Sequence, residues 1–125
     1  MGEIKSYFFD TYALYEILEG NQSYEKYIKE ISIITTKLNL MELHYGLLRL
    51  HGREKADKTY DRFLEFCIDF DDDSIKESNE FRFLNKKKKL SYVDCIGYII
   101  SKKLGVKFLT GDKEFEGFDN VEFVK

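Results

Sequence analysis

Ile4-Lys5-Ser6-Tyr7-Phe8-Phe9-Asp10 is a short run of strand-forming residues that stops on a carboxylate. Aromatic and β-branched side chains favour an extended, half-buried backbone, so residues 4–9 are read as a strand that ends at Asp10. Its counterpart far along the chain is Val106-Lys107-Phe108-Leu109-Thr110, followed by Gly111-Asp112. Between the two the pattern alternates. Helical spacing covers about 12–19 and 23–30, parted by Gly20-Asn21, and Ile31-Ser32-Ile33-Ile34-Thr35 is a β-branched strand. A long amphipathic stretch over 37–51 stops at Gly52, and a further helix is expected over 53–66. Cys67-Ile68-Asp69-Phe70 is a candidate short strand, 73–86 and 91–104 are helical, and Val121-Glu122-Phe123-Val124 supplies a last strand. Strands separated by helices of this length need crossover connections and a parallel sheet. The expected fold is α/β, a three-layer α/β/α sandwich on a mostly parallel central sheet, with residues 1–125 forming one domain.

Composition narrows the class. Hydrophobic residues make up 43% and aromatics 16%, all of the latter Tyr and Phe, which is enough apolar surface to offset the entropy of ordering. Proline is absent, so turns rest on Gly, Asn, Asp and Ser. No apolar run approaches ~20 residues, and Met1-Gly2-Glu3-Ile4-Lys5 lacks a signal-peptide pattern. Cys67 and Cys95 have no CxxC spacing and read as reduced core residues. A cytoplasmic location is expected. The net charge is −3, so binding to an anionic partner needs a local patch or a bridging cation. The single basic run, Lys86-Lys87-Lys88-Lys89, reads as a solvated helix end whose cations complement the dipole.

The topology gathers four carboxylates. In open parallel sheets ligands sit beyond the carboxyl ends of the strands. Asp10 ends the first strand and Asp112 follows the strand at 106–110. Glu42 lies in the early turns of the helix after the second strand, and Asp94 in the first turn of the helix leading into residues 106–110. All four should meet on one rim. Each also has an ordinary explanation. Asp10 can cap a helix, Ser91-Tyr92-Val93-Asp94 fits a capping box, and Asp112 can turn the chain. Glu42 falls within an apparent apolar stripe of Leu38, Met41, Tyr45 and Leu48, where it needs a partner such as a lysine or a metal. Two carboxylates about 5 Å apart repel by roughly 3 kcal/mol at an effective dielectric of 20, so four together call for a hard divalent cation, Mg²⁺ or Mn²⁺. Such a site suits phosphoryl chemistry.

The ordered segments Phe9-Asp10-Thr11, Leu40-Met41-Glu42-Leu43-His44-Tyr45-Gly46, Leu90-Ser91-Tyr92-Val93-Asp94 and Leu109-Thr110-Gly111-Asp112-Lys113-Glu114-Phe115 resemble the PIN domain, and within it the small toxins of VapC type. The resemblance implies a ribonuclease dependent on Mg²⁺ or Mn²⁺, with Asp10, Glu42, Asp94 and Asp112 as metal ligands and catalytic residues. Thr11 and Thr110 are implied as polar supports, and Glu116 or Asp119 as an outer acid. It further implies RNA as substrate, a toxin–antitoxin pairing with a small antitoxin protein, and a homodimer. Tyr24 and Tyr27, expected to be exposed, are candidates for the partner surface. The weak basic character around the rim departs from what an RNA enzyme suggests.

Competing readings are narrower. A non-catalytic module that binds RNA or protein through an acidic rim predicts no stabilisation by divalent ions. Asp69 to Asp73 with Glu80 imitates the spacing of a calcium loop but has Ser74 in place of the turn glycine, and Asp73 or Ser74 is expected to cap the next helix. Asp10-Thr11 lacks the second Asp that a phosphoaspartyl phosphatase would place at Tyr12. His44 and His51 have no partners that would make a zinc site.

Overall fold

The computed structural model of the protein describes residues 4–125; Met1 to Glu3, on which the reading of the N-terminal pattern partly rests, lie outside the described residues. Strand β1 (Lys5–Phe9) leads into helix α1 (Thr11–Leu18), and β2 (Ile31–Ile34) follows a short 3₁₀ segment at Gln22–Tyr27. Helices α2 (Lys37–His51), α3 (Arg53–Phe63), α4 (Asp72–Leu84) and α5 (Tyr92–Leu104) precede β3 (Lys107–Thr110) and β4 (Val121–Phe123). The four strands form one sheet in the order β2-β1-β3-β4, and every neighbouring pair is parallel.

Side-chain alternation along the central strands splits the interior in two. Phe8 and Phe108 are register partners, as are Phe9 and Leu109. Successive residues of a strand face opposite sides, so each partnered pair lies on one face of the sheet. Phe9 and Leu109 pack with Leu14 of α1, Leu40, Leu43 and Leu47 of α2, and Phe63 of α3. Phe8 and Phe108 pack on the other face with Ile96, Tyr98 and Ile100 of α5 and with Phe115. The result is the expected three-layer sandwich, with α1, α2 and α3 on one side and α4 and α5 on the other. Much of the aromatic content is spent on the second core. There Phe8 stacks on Phe108 at 5.7 Å between centroids, and Phe115 sits 4.7 Å from Phe108.

Helix α5 lies close against this aromatic layer because Gly97 has no side chain. A Cβ there would stand 2.7 Å from Phe8 Cε1 and 3.2 Å from Phe108 Cε1. Both rings are fully buried and have nowhere to go. Gly97→Ala is therefore expected to destabilise the fold by about 1–3 kcal/mol, despite the better helix propensity of alanine. Chemical denaturation would register it as a lower midpoint at unchanged slope.

Several local expectations are corrected. The stretch 23–30 is not a regular helix; Asn21 Oδ1 accepts the Ser23 N–H at 2.9 Å and tightens Gln22–Tyr27 into a short 3₁₀ segment. Tyr24 and Tyr27 are buried, at 1% and 3% exposure, instead of surface-facing. Their hydroxyls reach the last part of the chain, Tyr24 donating to the Val124 carbonyl at 2.5 Å and Tyr27 to Glu122 Oε2 at 2.6 Å. Helix α3 ends at Phe63 and a 3₁₀ turn, Leu64–Phe66, carries the helical stretch to its expected limit, whereas residues 67–70 form no strand, only an isolated bridge between Thr35 and Cys67. Asp71, not Asp73 or Ser74, caps α4, accepting the Ser74 N–H at 2.9 Å. His44 is turned to Asp57 at 2.7 Å. Among the described residues, no helix is long and apolar enough to cross a membrane.

Candidate active site

Chain order and strand order part company between β1 and β3. From β1 the chain passes to β2 on one side, then returns past β1 to place β3 on the other. The crevice beyond the carboxyl ends of such a strand pair is where open α/β sheets bind ligands. Asp10 stands there, one residue past β1, and its backbone N–H bonds the Leu109 carbonyl of β3 at 3.3 Å. Its side chain is 2% exposed. Oδ1 caps α1 by accepting the Ala13 N–H at 2.9 Å, and Oδ2 accepts the Thr110 hydroxyl at 2.5 Å.

The Thr110 hydroxyl also accepts the Asp112 N–H at 3.1 Å, tying the two aspartates to one side chain. Asp112 Oδ1 in turn caps the short turn Lys113–Phe115 through the Glu114 N–H at 3.0 Å. Gly111 permits this turn. A Cβ at that position would collide with the Tyr12 ring and the Val124 carbonyl. Asp94 belongs to a complete capping box at the start of α5. Its Oδ2 accepts the Ser91 N–H at 2.9 Å, and its own N–H donates to Ser91 Oγ at 3.0 Å. Glu42 Oε1 accepts the Thr11 hydroxyl at 2.7 Å. Thr11 thus supports Glu42, and Thr110 supports Asp10 and Asp112.

Electrostatics join the four. Burial pushes the Asp10 carboxyl up to about 8; the Thr110 and Ala13 bonds oppose this, while the charges of Asp94 and Asp112 add to it. Burial likewise raises Asp94, with Asp112 and Glu42 adding in the same direction against the Ser91 bonds. Among the described residues no Lys, Arg or His pairs with any of the four. Nor, among those residues, do three or more Asp, Glu, His or Cys groups already stand as a ready-made metal cage. The donor chemistry nevertheless fits a hard divalent cation: oxygen ligands only, partly buried, mutually repelling, with no cationic side chain in balance.

The rim has members that the sequence reading did not include. Asn39 is 1% exposed; it accepts the Thr36 hydroxyl at 2.7 Å and donates from Nδ2 to Thr11 Oγ1 at 3.2 Å. That bond turns the Thr11 proton toward Glu42. Thr36 at an N-cap position three residues before Asn39 was the one available signal. Asp119 is committed elsewhere. Tyr98 and Lys102 of α5 hold it at 2.6 and 3.2 Å and keep its carboxyl below the usual range. Lys102 lies eight residues beyond Asp94, about 12 Å along the helix. Glu116 is exposed at the end of the short turn after Asp112.

The apolar stripe assigned to α2 was rotated. Met41 and Tyr45 are 59% and 64% exposed, and the buried row is Asn39, Leu40, Leu43 and Leu47. Gly46 lets the Tyr15 hydroxyl of α1 close on the helix, which fixes the buried face. Glu42 is half-buried because it faces Thr11 of α1, not because it interrupts a core stripe.

A family model for the PIN domain matches residues 7–121, nearly the whole chain. The chain belongs to the PIN domain family. Comparison with curated proteins finds no match by sequence. Among solved structures, this PIN domain is similar to VapC20 of Mycobacterium tuberculosis, described as a sarcin–ricin loop cleaving toxin. The TM-score is 0.76 and the identity 17%, over 95% of this chain and 99% of that one. The promoter-DNA-bound VapBC2 of Rickettsia felis gives 0.70 and 21%, over 96% and 99% of the two chains. DNA-bound VapBC of Salmonella typhimurium gives 0.72 and 18%, over 95% and 96%. At these identities the likeness establishes a shared fold, and the four-acid rim occupies the carboxyl edge of the sheet in that fold.

Proposed function

We propose that this PIN domain is a divalent-metal-dependent endoribonuclease and the toxin of a toxin–antitoxin pair. The observation that carries the reading is the uncompensated carboxylate rim at the β1/β3 crevice, centred on the buried Asp10. Asp10, Glu42, Asp94 and Asp112 would hold Mg²⁺ or Mn²⁺. When bound, such an ion neutralises charge on the phosphodiester and makes water more acidic, at neutral pH. The chain's own residues set the geometry. Thr110 fixes the spacing of Asp10 and Asp112, Ser91 orients Asp94, and the Thr36-Asn39-Thr11 series orients Glu42. Hydrolysis with in-line attack would leave a 5′-phosphate and a 3′-hydroxyl.

Partners follow from the same reading. One similar structure is described as a toxin–antitoxin complex from Klebsiella pneumoniae and two as VapBC bound to DNA, which supports a small antitoxin for this chain; a homodimer is its own proposed assembled state. Met41 and Tyr45, exposed on either side of Glu42 on α2, offer such a protein apolar surface beside the rim in place of the buried Tyr24 and Tyr27.

Incubation with labelled RNA in Mn²⁺, in Mg²⁺ and in chelator tests the chemistry. Cleavage confined to the metal-containing samples, with 5′-phosphate ends, is expected. A chain that binds RNA, gains no thermal stability from Mn²⁺ and cleaves nothing would instead be the non-catalytic binding module.

A further inference from the structure

The lysine run has a structural setting that a solvated helix end does not explain. Helix α4 ends at Leu84, and the chain through residues 85–91 then returns to the start of α5. Between these elements lies a groove of about 430 Å³ lined by Arg82, Phe83, Lys86, Lys88 and Tyr92. Two of its aromatics face solvent, Phe83 at 67% exposure and Tyr92 at 64%. Cations sit on these rings. The Arg82 guanidinium lies 4.1 Å from the Tyr92 centroid, with its Nε held by the Leu90 carbonyl at 2.9 Å, and Lys86 Nζ lies 4.9 Å from the Phe83 centroid. Among the described residues no carboxylate pairs with Arg82, Lys86 or Lys88. A second basic surface, on α3, differs in that Lys58 is paired with Glu54 at 3.1 Å.

The groove and the acidic rim share the start of α5. Tyr92 begins that helix two residues before Asp94, about 200° around it, so the ring and the carboxylate leave α5 on different faces. The backbone N–H of Lys89 donates to Glu114 Oε1 at 2.8 Å, and the Glu114 N–H donates to Asp112 Oδ1 at 3.0 Å. The basic segment is therefore bonded to the turn that carries Asp112.

We propose that this groove is the track for single-stranded RNA leading into the rim, with Lys86, Lys88 and Arg82 on phosphates and Tyr92 as a platform for one base. Unpaired cations interleaved with exposed aromatic faces match the two repeating features of a single strand, its phosphates and its unstacked bases. The charge also answers the sequence problem. A chain of net charge −3 grips an anionic strand through a local patch, and this patch is linked through the Lys89–Glu114–Asp112 bonds to the acids that would otherwise repel the strand.

The assignment rests on the ribonuclease reading, and its test separates the two. Affinity of the full chain for a short labelled single-stranded RNA is measured in chelator across a salt series, and cleavage is measured in Mn²⁺. Lys86→Ala with Lys88→Ala should weaken binding by about tenfold or more and flatten the log–log salt dependence by roughly 1.4, at 0.7 per phosphate contact. Tyr92→Ala should lose about tenfold at every salt concentration, whereas Tyr92→Phe, which keeps the ring, retains affinity. The same double change at Lys55 and Lys58 on α3 should leave binding and cleavage as they are. Groove variants that bind like wild type, in a chain that cleaves RNA, overturn the track and leave the nuclease standing. Loss of affinity at the groove in a chain that cleaves nothing supports the track and overturns the nuclease. Displacement of the RNA by polyglutamate, with no effect of Tyr92→Ala, assigns the surface to an acidic protein and overturns the proposal.

Discussion

Asp10→Asn is expected to lower Mn²⁺-dependent RNA cleavage by about a thousandfold or more, a loss of roughly 4 kcal/mol in transition-state stabilisation. The size follows from its position. Asp10 is the most buried of the four acids, lies between the two central strands, and feels the charges of both Asp94 and Asp112. Asparagine keeps the shape. Its oxygen can still accept the Ala13 N–H that caps α1, and its amide still meets Thr110, so the fold survives while a ligand charge is lost. Glu42→Gln, at the half-buried edge of the rim and held by a single hydroxyl, should cost less. Single-turnover cleavage assays, with circular dichroism to verify folding, decide the matter. Wild-type rates from Asp10→Asn would remove Asp10 from the centre of the site.

The strands were legible in the sequence because Phe8, Phe9, Phe108 and Leu109 are strand formers bounded by turn residues, and their pairing follows from the crossover topology. Rotation of α2 was not legible. The rows Leu38-Met41-Tyr45-Leu48 and Leu40-Leu43-Leu47 both carry helical spacing, and the choice rests on Gly46 meeting Tyr15 in another helix. Burial of Tyr24 and Tyr27 escaped for a similar reason, since their hydroxyl partners lie 100 and 95 residues away. The rim itself was legible, but with its alternatives wrongly opposed. Capping and site-building appear as rival readings of Asp10, Asp94 and Asp112 in sequence, whereas in the folded chain each of the three does cap a helix or turn at the shared edge. Helix N-termini gather where parallel strands end, so the same topology that asks for caps also brings the carboxylates together. Asn39 was missed because a buried amide that only orients a neighbour leaves no periodic trace.

Stability of the metal-free chain should fall as pH rises, by several kcal/mol between about pH 5 and pH 9. The folded Asp10 carboxyl is pushed up to about 8, against about 3.9 for an unfolded aspartate, so the native state holds its proton more tightly. That contribution is fully present below about pH 4 and is lost as pH rises through about 8, at about 1.4 kcal/mol per unit in between. Asp94 is raised and acts in the same sense. Asp57, Asp71 and Asp119 are held low by His44, Ser74 and Tyr98 respectively, so their contribution is lost only in more acid solution. A metal-free optimum on the acid side of neutrality results. Urea denaturation in chelator across the pH range would show it, and Asp10→Asn should flatten the alkaline limb and be more stable than wild type at pH 9. Saturating Mn²⁺ should restore the wild type at high pH, because binding to the native state alone adds stability by mass action, and should restore Asp10→Asn far less. A wild-type chain equally stable at pH 5 and pH 9 in chelator would mean that neither burial nor, to a smaller extent, the neighbouring charges of Asp94 and Asp112 penalise an ionised Asp10, and with that would go the physical reason for assigning these four acids to a cation.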